Sequence, residues 1–231
     1  MAYYHAQQPE FNAAVCSLKT LNGAHLPVAR VEFEGDDLKV TTIGGLDFRL
    51  SQEILHTADF SQGKISYLSD LQPRKQVWTP HIALPSDADH IQDYGQPRKD
   101  QSFAGSALTL EWSAVTGAPE NKSSVSEEIH TYNKGLAIRS RTELVYRLPP
   151  KMQRFFAIAG INPSTSKQGN VMLEIYANKQ LVWQGEIDGN SEPSEIEVAI
   201  DGARELRILV DYGSNLDYGD QLHLVEAKVT K

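Results

Sequence analysis

The most ligand-like segment of the sequence runs from Tyr212 to Asp220 and reads Tyr-Gly-Ser-Asn-Leu-Asp-Tyr-Gly-Asp. It places two aromatic rings, an amide and two carboxylates around two glycines, whose backbone freedom favours a loop. An aromatic face packs against the C–H side of a sugar ring, while carboxylates and amides bind its hydroxyl groups. The alternative is a polar hairpin connection with its rings packed on the rim of the fold. The candidate sugar-binding residues in this segment are Tyr212, Asn215, Asp217 and Tyr218.

Three further candidates lie outside that segment. Trp78 and His81 fall in a proline-rich stretch, which is typical of an exposed loop. Arg139 lies on a predicted strand with apolar neighbours, so its side chain could face either way. If it faces inward, Arg139 must pair with a carboxylate such as Glu143 or Glu226, and the pair would be structural.

No pattern of catalytic residues accompanies these candidates. The sequence has no G-x-S-x-G, no phosphate-binding glycine loop, and no H-x-H or H-x-x-x-H spacing among its 7 histidines. Its single cysteine, Cys16, excludes a disulfide framework and a cysteine-based zinc site, and is expected to be a small core residue. The sequence therefore does not predict an enzyme.

Charge and hydropathy exclude two classes of partner. The formal net charge is −8, and no Lys/Arg run opposes it, so binding to nucleic acid is not expected. No stretch approaches the roughly 20 consecutive apolar residues that span a bilayer, so membrane insertion is not expected. The first residues also lack the basic and apolar regions of a signal peptide.

The elements that must position the candidates are predicted to be β-strands throughout. Residues 1–12 are polar and aperiodic, which indicates a tail. Residues 13–65 contain five or six short strands separated by turns such as Asn22-Gly23 and Gly44-Gly45, the rhythm of a small curved sheet or SH3-like barrel. No segment sustains an apolar helical period, so the fold class is all-β.

Residues 66–231 are predicted to form a β-sandwich. The stretch from Pro73 to Gly105 is expected to be extended and loop-rich, and Ser113 to Glu128 to be an exposed loop. Trp112 and Trp183 lie within predicted strands and are expected in the core. About eight strands bounded by turns then indicate a sandwich or jelly roll. The predicted strands are Gly135–Ser140, Thr142–Leu148, Arg154–Gly160, Val171–Ala177, Gln180–Glu186, Ser194–Ile200, Glu205–Asp211 and Leu222–Val229.

Several motifs in this half occur in the order of a known family. Tyr67-Leu68-Ser69-Asp70-Leu71 resembles the YLSDL strand of the NPCBM family, and Tyr132 to Leu136 resembles its Y-x-K-G-L signature. Arg154 to Ile161 and Val171 to Tyr176 resemble its following strands, and Leu206 to Ala227 its closing ones. The resemblance covers about residues 65–231. At four places the family usually has other residues. Its His is Arg139 here, and the Trp of its Asp-Trp pair is Gln221. Its D-G turn is Asn178-Lys179, and the Asp after its G-I/V is Asn162.

The resemblance implies a galactose-binding-like jelly roll that acts as a non-catalytic carbohydrate-binding module of a larger bacterial protein. Its partners would be a galactose-type glycan, such as a cell-wall or extracellular polysaccharide, and the other domains of that protein. The expected location is periplasmic or extracellular. The alternative is a structural or protein-interaction domain that keeps the scaffold with a degenerate sugar site.

The resemblance also implies a structural calcium ion. The loop around Asp100 resembles the one that wraps calcium in galactose-binding-like sandwiches, and Glu226 would supply the second carboxylate. The alternative is that Asp100 caps a turn and Glu226 is solvated, with Arg98 or Lys99 neutralising Asp100.

Overall fold

The computed structural model describes residues 14–60, 64–81, 93–116, 124–165 and 167–231, so the predicted tail lies outside them. The described chain is all-β, as predicted, with strands β1 to β18 joined by turns and three short 3-10 segments. None of those helical segments is long and apolar enough to cross a membrane. The chain divides into two compact units, Met1–Ile65 and Ser66–Lys231.

The first unit is a five-stranded antiparallel sheet in the order β4-β3-β2-β1-β5. A 3-10 turn, Gln52–Ile54, connects β4 to β5, and this order with that turn is an SH3-like arrangement. Its core contains the fully buried Cys16 side chain, which confirms the interpretation of that cysteine as a core residue. The strands are β1 (Cys16–Thr20), β2 (His25–Glu34), β3 (Asp37–Thr42), β4 (Asp47–Ser51) and β5 (Leu55–Asp59).

The second unit is a β-sandwich. Its first sheet has the order β16-β13-β18-β11-β8, with the short β6 also paired to β18. Its second sheet has the order β15-β14-β17-β12-β7. The strands of the first sheet are β6 (Ile65–Tyr67), β8 (Arg98–Lys99), β11 (Gly135–Arg139), β13 (Arg154–Ile161), β16 (Ser194–Ala199) and β18 (Gln221–Thr230). Those of the second are β7 (Pro73–Trp78), β12 (Thr142–Arg147), β14 (Asn170–Ala177), β15 (Gln180–Asp188) and β17 (Glu205–Tyr212).

The main core lies between these two sheets. Alternate residues of each strand point inward, as the two-residue period of a strand requires. Leu136 and Ile138 on β11, for example, face Leu173 and Ile175 of the second sheet within one buried cluster. The largest fully buried side chains in this cluster, Tyr146 and Phe155, come from opposite sheets.

A two-stranded hairpin forms a third layer over the outer face of the first sheet. It consists of β9 (Leu108–Thr116) and β10 (Ser124–Tyr132). Leu108 and Leu110 pack there against Ala137, Ile158 and Val225. The prediction of one exposed loop over Ser113 to Glu128 is therefore wrong, because both ends of that segment belong to the hairpin.

Two other expectations concern the same region. The stretch from Pro73 to Gly105, predicted to be extended and loop-rich, begins with the extended strand β7, which pairs regularly with β12. Trp112 and Trp183, which were expected in the core, are instead half-buried and pack against the buried clusters from outside.

The candidate residues lie near one another because the strands that carry them end at the same end of the sandwich. Arg139 ends β11 and pairs with Gln221, the first residue of β18. Tyr212 ends β17, where it pairs with Val171 near the start of β14. We call this end of the sandwich the loop end; it is formed by the Ser140-Arg141 turn and by residues 162–165, 167–169 and 213–220. The opposite end carries the turns at 148–153 and 201–204.

Candidate carbohydrate-binding site

Arg139 lies between two aromatic rings at the loop end. Its guanidinium carbon is 4.3 Å from the centre of the Tyr94 ring and 4.5 Å from that of Phe103. Stacking of this kind is a cation–π interaction, which also holds the planar guanidinium in one orientation. Arg139 shares the outer face of β11 with Ala137, so it does not face the main core. The ion pair with Glu143, which was predicted only if Arg139 faces inward, is absent. The Glu143 carboxylate binds Lys75 and Arg207 instead.

Gln221 lies directly opposite Arg139 on the neighbouring strand. Its side-chain oxygen accepts a hydrogen bond from Asn162 Nδ2 at 3.3 Å. The two positions at which the sequence departs from the family's usual His and Trp are thus cross-strand partners, whose side chains share one face of the sheet. These two differences from the family pattern, Arg139 and Gln221, therefore alter the same local surface.

Trp78 packs next to this surface and contacts the backbone on both sides of it. Its Nε1 donates a hydrogen bond to the carbonyl oxygen of Ser140 at 3.1 Å. Gly95 packs so closely against the indole ring that an added Cβ would overlap it. One face of Trp78 is therefore covered, and its contact fixes the backbone next to Tyr94. The Trp78 side chain thus contacts both the Ser140-Arg141 turn and the segment that carries Tyr94.

Tyr212 and His81 form a second aromatic group beside the first. Their rings meet edge to face with centres 5.6 Å apart, and the Tyr212 hydroxyl donates to the carbonyl oxygen of Thr79 at 3.1 Å. The guanidinium of Arg141 lies 6.0 Å from the Tyr212 ring. Burial, followed by the nearby Asp217 carboxylate, raises the pKa of Tyr212, so its hydroxyl remains protonated at neutral pH.

Segment 213–220 is held to the sandwich by Asn170. The Asn170 side-chain oxygen accepts from the Ser214 backbone N–H at 3.0 Å, and its carbonyl oxygen accepts from the Gly213 N–H at 3.1 Å. Within the segment, Asn215 Nδ2 donates to the carbonyl oxygens of Gln168 and Tyr218. Asn215 therefore shapes the loop from inside.

The remaining two candidates are exposed on the same segment. The Tyr218 side chain is 63% exposed, and Asp217 is also exposed. Asp220, by contrast, is buried beside Ser140, and its Oδ1 accepts from the Asn170 N–H at 2.9 Å. Burial raises the pKa of Asp220. The structure thus places Trp78, His81, Arg139 and Tyr212 in neighbouring groups of contacts, and Asp217 and Tyr218 are exposed on segment 213–220.

Sequence reasoning missed three residues of this surface as site residues. Tyr94 and Phe103 flank Arg139 from segments remote in the sequence, and no local motif marks either of them. Gln221 carried a signal, because it stands where the family usually has Trp. Its pairing with Arg139 required the register of β11 and β18.

The two predicted calcium ligands lie near the start of β11, away from the loop end. The Asp100 carboxylate accepts from the Gly135 N–H at 3.0 Å and forms an ion pair of 3.0 Å with Lys134 Nζ. The same ammonium lies 2.5 Å from Asp70. Lys134, not Arg98 or Lys99, therefore neutralises Asp100.

Glu226 is also occupied by protein donors. It accepts from the Tyr67 hydroxyl at 3.2 Å and from Lys228 Nζ at 3.1 Å. Calcium needs six to eight oxygen ligands, whereas lysine ammonium groups already lie against both carboxylates. Among the described residues no group of three or more His, Cys, Asp or Glu side chains is arranged to hold a metal. This donor set does not fit calcium.

Protonation of Asp100 should weaken the fold at low pH. Burial opposes ionisation of Asp100, but the nearby Ser69 hydroxyl and the hydrogen bonds from the Gly135 N–H and Lys134 outweigh it and lower its pKa. A carboxyl with a depressed pKa stabilises the fold above its unfolded pKa of about 3.9, and this is lost as pH falls through the folded value. We expect Asp100→Asn to lower the free energy of unfolding by about 1–2 kcal/mol at pH 7, with a smaller difference near pH 3. Urea unfolding of both proteins at the two pH values measures this, and a pH-independent difference would contradict it.

The fold and the loop-end site define a class of domain. Two antiparallel sheets enclose one core, and aromatic and polar side chains gather where strands end, which is the arrangement of galactose-binding-like β-sandwiches. The sequence model of the NPCBM/NEW2 domain family matches residues 65–230. The chain belongs to the NPCBM/NEW2 family. No curated protein matches it.

Solved structures of carbohydrate-binding modules share this fold. A CBM51 module of Clostridium perfringens GH95, solved with methyl-galactose, is 23% identical with a TM-score of 0.56, over 72% of this chain and 99% of that one. The CBM51-2 and INT domains of Clostridium perfringens ZmpB, solved with GlcNAc, are 18% identical with a TM-score of 0.57, over 93% of this chain and 43% of that one. Tandem CBM51 modules of a family 98 glycoside hydrolase from Streptococcus pneumoniae are 17% identical with a TM-score of 0.53, over 72% and 47%.

Proposed function

We propose that this chain is a non-catalytic carbohydrate-binding module of a larger exported protein, and that it binds a galactose-type glycan at the loop end. Family membership and the shared sandwich fold support the class of function. The observation that carries the site is the adjoining pair of aromatic groups, Tyr94–Arg139–Phe103 and His81–Tyr212. We place the parent protein in the periplasm or outside the cell, where polysaccharide is available.

The chemistry of this surface suits a sugar. Aromatic rings offer apolar faces to the C–H side of a pyranose ring. The Arg139 guanidinium and the Gln221 amide offer several N–H donors to ring substituents. Tyr94, which is 60% exposed, leaves one side of the stack accessible to a ligand.

Titration calorimetry with galactosides tests the proposal. We expect weak binding, with a dissociation constant on the order of 1 mM. Tyr212→Ala should weaken it about tenfold, because the variant loses one aromatic face and the hydroxyl bond to Thr79. Tyr176→Ala is the matched control, since it removes a tyrosine near the opposite end of β14. An unchanged affinity in Tyr212→Ala would place the site elsewhere, and a wild-type protein that binds no glycan would favour a protein-interaction domain.

A further inference from the structure

Arg139 has a charge that nothing in the described part of the chain neutralises. Three arginines of the sandwich lie within 4 Å of carboxylates: Arg207 is 2.6 Å from Glu143, Arg154 is 2.5 Å from Glu197, and Arg141 is 3.9 Å from Asp211. Arg139 makes no ion pair with any described residue. Its Nε is buried and has no hydrogen-bond partner there.

This condition makes the Arg139 guanidinium a candidate binding group for an acceptor. A partly buried cation loses hydration, and an anion or a hydrogen-bond acceptor recovers part of that loss. The rings of Tyr94 and Phe103 offset part of the cost through their faces, at 4.3 and 4.5 Å, but they supply no acceptor for the guanidinium edge. The stacking leaves the planar edge as the group available to a ligand.

Gln221 adds a second donor on the same face. Its side-chain oxygen is already bound by Asn162, so its Nε2 amide group remains available among the described contacts. Directly opposed residues on antiparallel strands have Cβ atoms about 4.5–5.5 Å apart. A guanidinium edge and an amide N–H₂ at that separation present donors only, which favours an oxyanion over a hydroxyl group that must also donate.

We infer that the glycan bound at the loop end carries an anionic group, and that Arg139 with Gln221 binds that group. The inference rests on the proposed carbohydrate-binding function and specifies its substrate class. The chemistry required is an oxyanion on a sugar ring, supplied by a uronic-type carboxylate or by a sulfate ester. A guanidinium fork binds such groups through two parallel hydrogen bonds. Two of the solved modules that share the fold were obtained with the neutral sugars methyl-galactose and GlcNAc.

Matched sugars test the inference on the unmodified full chain. Calorimetric titrations with methyl galactoside, methyl galacturonoside and galactose 6-sulfate, at one ionic strength, compare a hydroxyl, a carboxylate and a sulfate on related rings. We expect at least one acidic sugar to bind about tenfold or more tightly than the neutral one, as charge-assisted hydrogen bonds require. Whichever of the two acidic sugars binds more tightly identifies the preferred anionic group as a carboxylate or a sulfate. Binding of the neutral sugar as tightly as both acidic sugars would overturn the inference and leave the proposed function intact. Binding of none of the three sugars would remove both.

Three variants locate the preference. Arg139→Gln should lose most of the acidic preference, and Arg139→Lys should weaken acidic binding about tenfold because it keeps the charge but loses the fork. Gln221→Ala should reduce the preference with the Arg139 stack intact. Arg147→Gln, at the far end of β12, is the control and should match the wild type. Thermal melts establish that each variant folds; if Arg139→Gln does not, Arg139→Lys and Gln221→Ala decide. An acidic preference that survives in the folded Arg139 variants would contradict the assignment.

Discussion

Replacing Gly135 by alanine should lower the free energy of unfolding of the sandwich by about 3 kcal/mol or more. Gly135 has a φ of +153°, a backbone conformation that residues with a side chain rarely adopt. An added Cβ would lie 2.7 Å from the Leu224 carbonyl oxygen, 2.8 Å from the Val225 Cα and 2.9 Å from Leu108 Cδ1. Two of these contacts are with the backbone of β18, which cannot move without disturbing the first sheet.

Urea unfolding followed by circular dichroism measures this effect, and Gly202→Ala is the matched control. Gly202 has a φ of +69°, but a Cβ added there would have no atom within 4 Å. It therefore reports the backbone strain alone, about 1–2 kcal/mol. Equal losses in the two variants would show that close packing at Gly135 contributes nothing. A larger loss in Gly135→Ala than in Gly202→Ala would explain why the Y-x-K-G-L signature has a glycine at this position.

The second large effect should follow from Asn170→Ala. Asn170 is nearly buried, and its side chain accepts from the Ser214 N–H and donates to Glu186 at 2.6 Å and to Asp188 at 3.3 Å. Alanine removes these bonds together and leaves the Ser214 N–H without its acceptor. We expect a loss of about 2–4 kcal/mol in the free energy of unfolding, and loosening of segment 213–220.

Glycan binding should fall with Asn170→Ala because segment 213–220 follows Tyr212 directly. A destabilised variant at the other end separates this effect from general loss of stability. Asn178→Gly removes side-chain bonds of 3.0 and 3.2 Å to the N–H groups of Arg204 and Glu205 while keeping the positive φ acceptable. Hydrogen exchange across 213–220 and calorimetry report the two consequences. Full glycan affinity in a folded Asn170→Ala protein would show that the segment does not position the site.

Local periodicity predicted most of the fold because the sandwich strands alternate strongly. β14, for example, has buried residues at regular intervals, and its turn at Asn178-Lys179 lies where the sequence indicates one. The sequence pattern does not predict β10, because Ser124–Tyr132 is polar and its apolar positions do not alternate clearly. Its partner, β9, supplies the apolar side chains, so the hairpin follows from tertiary packing rather than from local propensity.

The site was less predictable than the scaffold. The Tyr212 segment is contiguous, so its composition alone drew attention to it. The surroundings of Arg139 depend on which way β11 presents that residue and on rings from Tyr94 and Phe103, and neither follows from spacing. The predicted partner Glu143 proved to be engaged by Lys75 and Arg207 on another sheet. In a sandwich, the register between strands that are remote in sequence determines which charged side chains are adjacent and can form ion pairs.

An amide chemical-shift titration of the full chain with methyl galactoside and methyl galacturonoside tests the central claim most directly. Binding at the loop end predicts shifts confined to residues around Tyr94, Arg139, Tyr212 and Gln221, saturating at millimolar sugar, with the turns at 148–153 and 201–204 unaffected. Saturable shifts centred on those opposite turns, or no shifts with any glycan, would contradict a carbohydrate-binding site at the loop end.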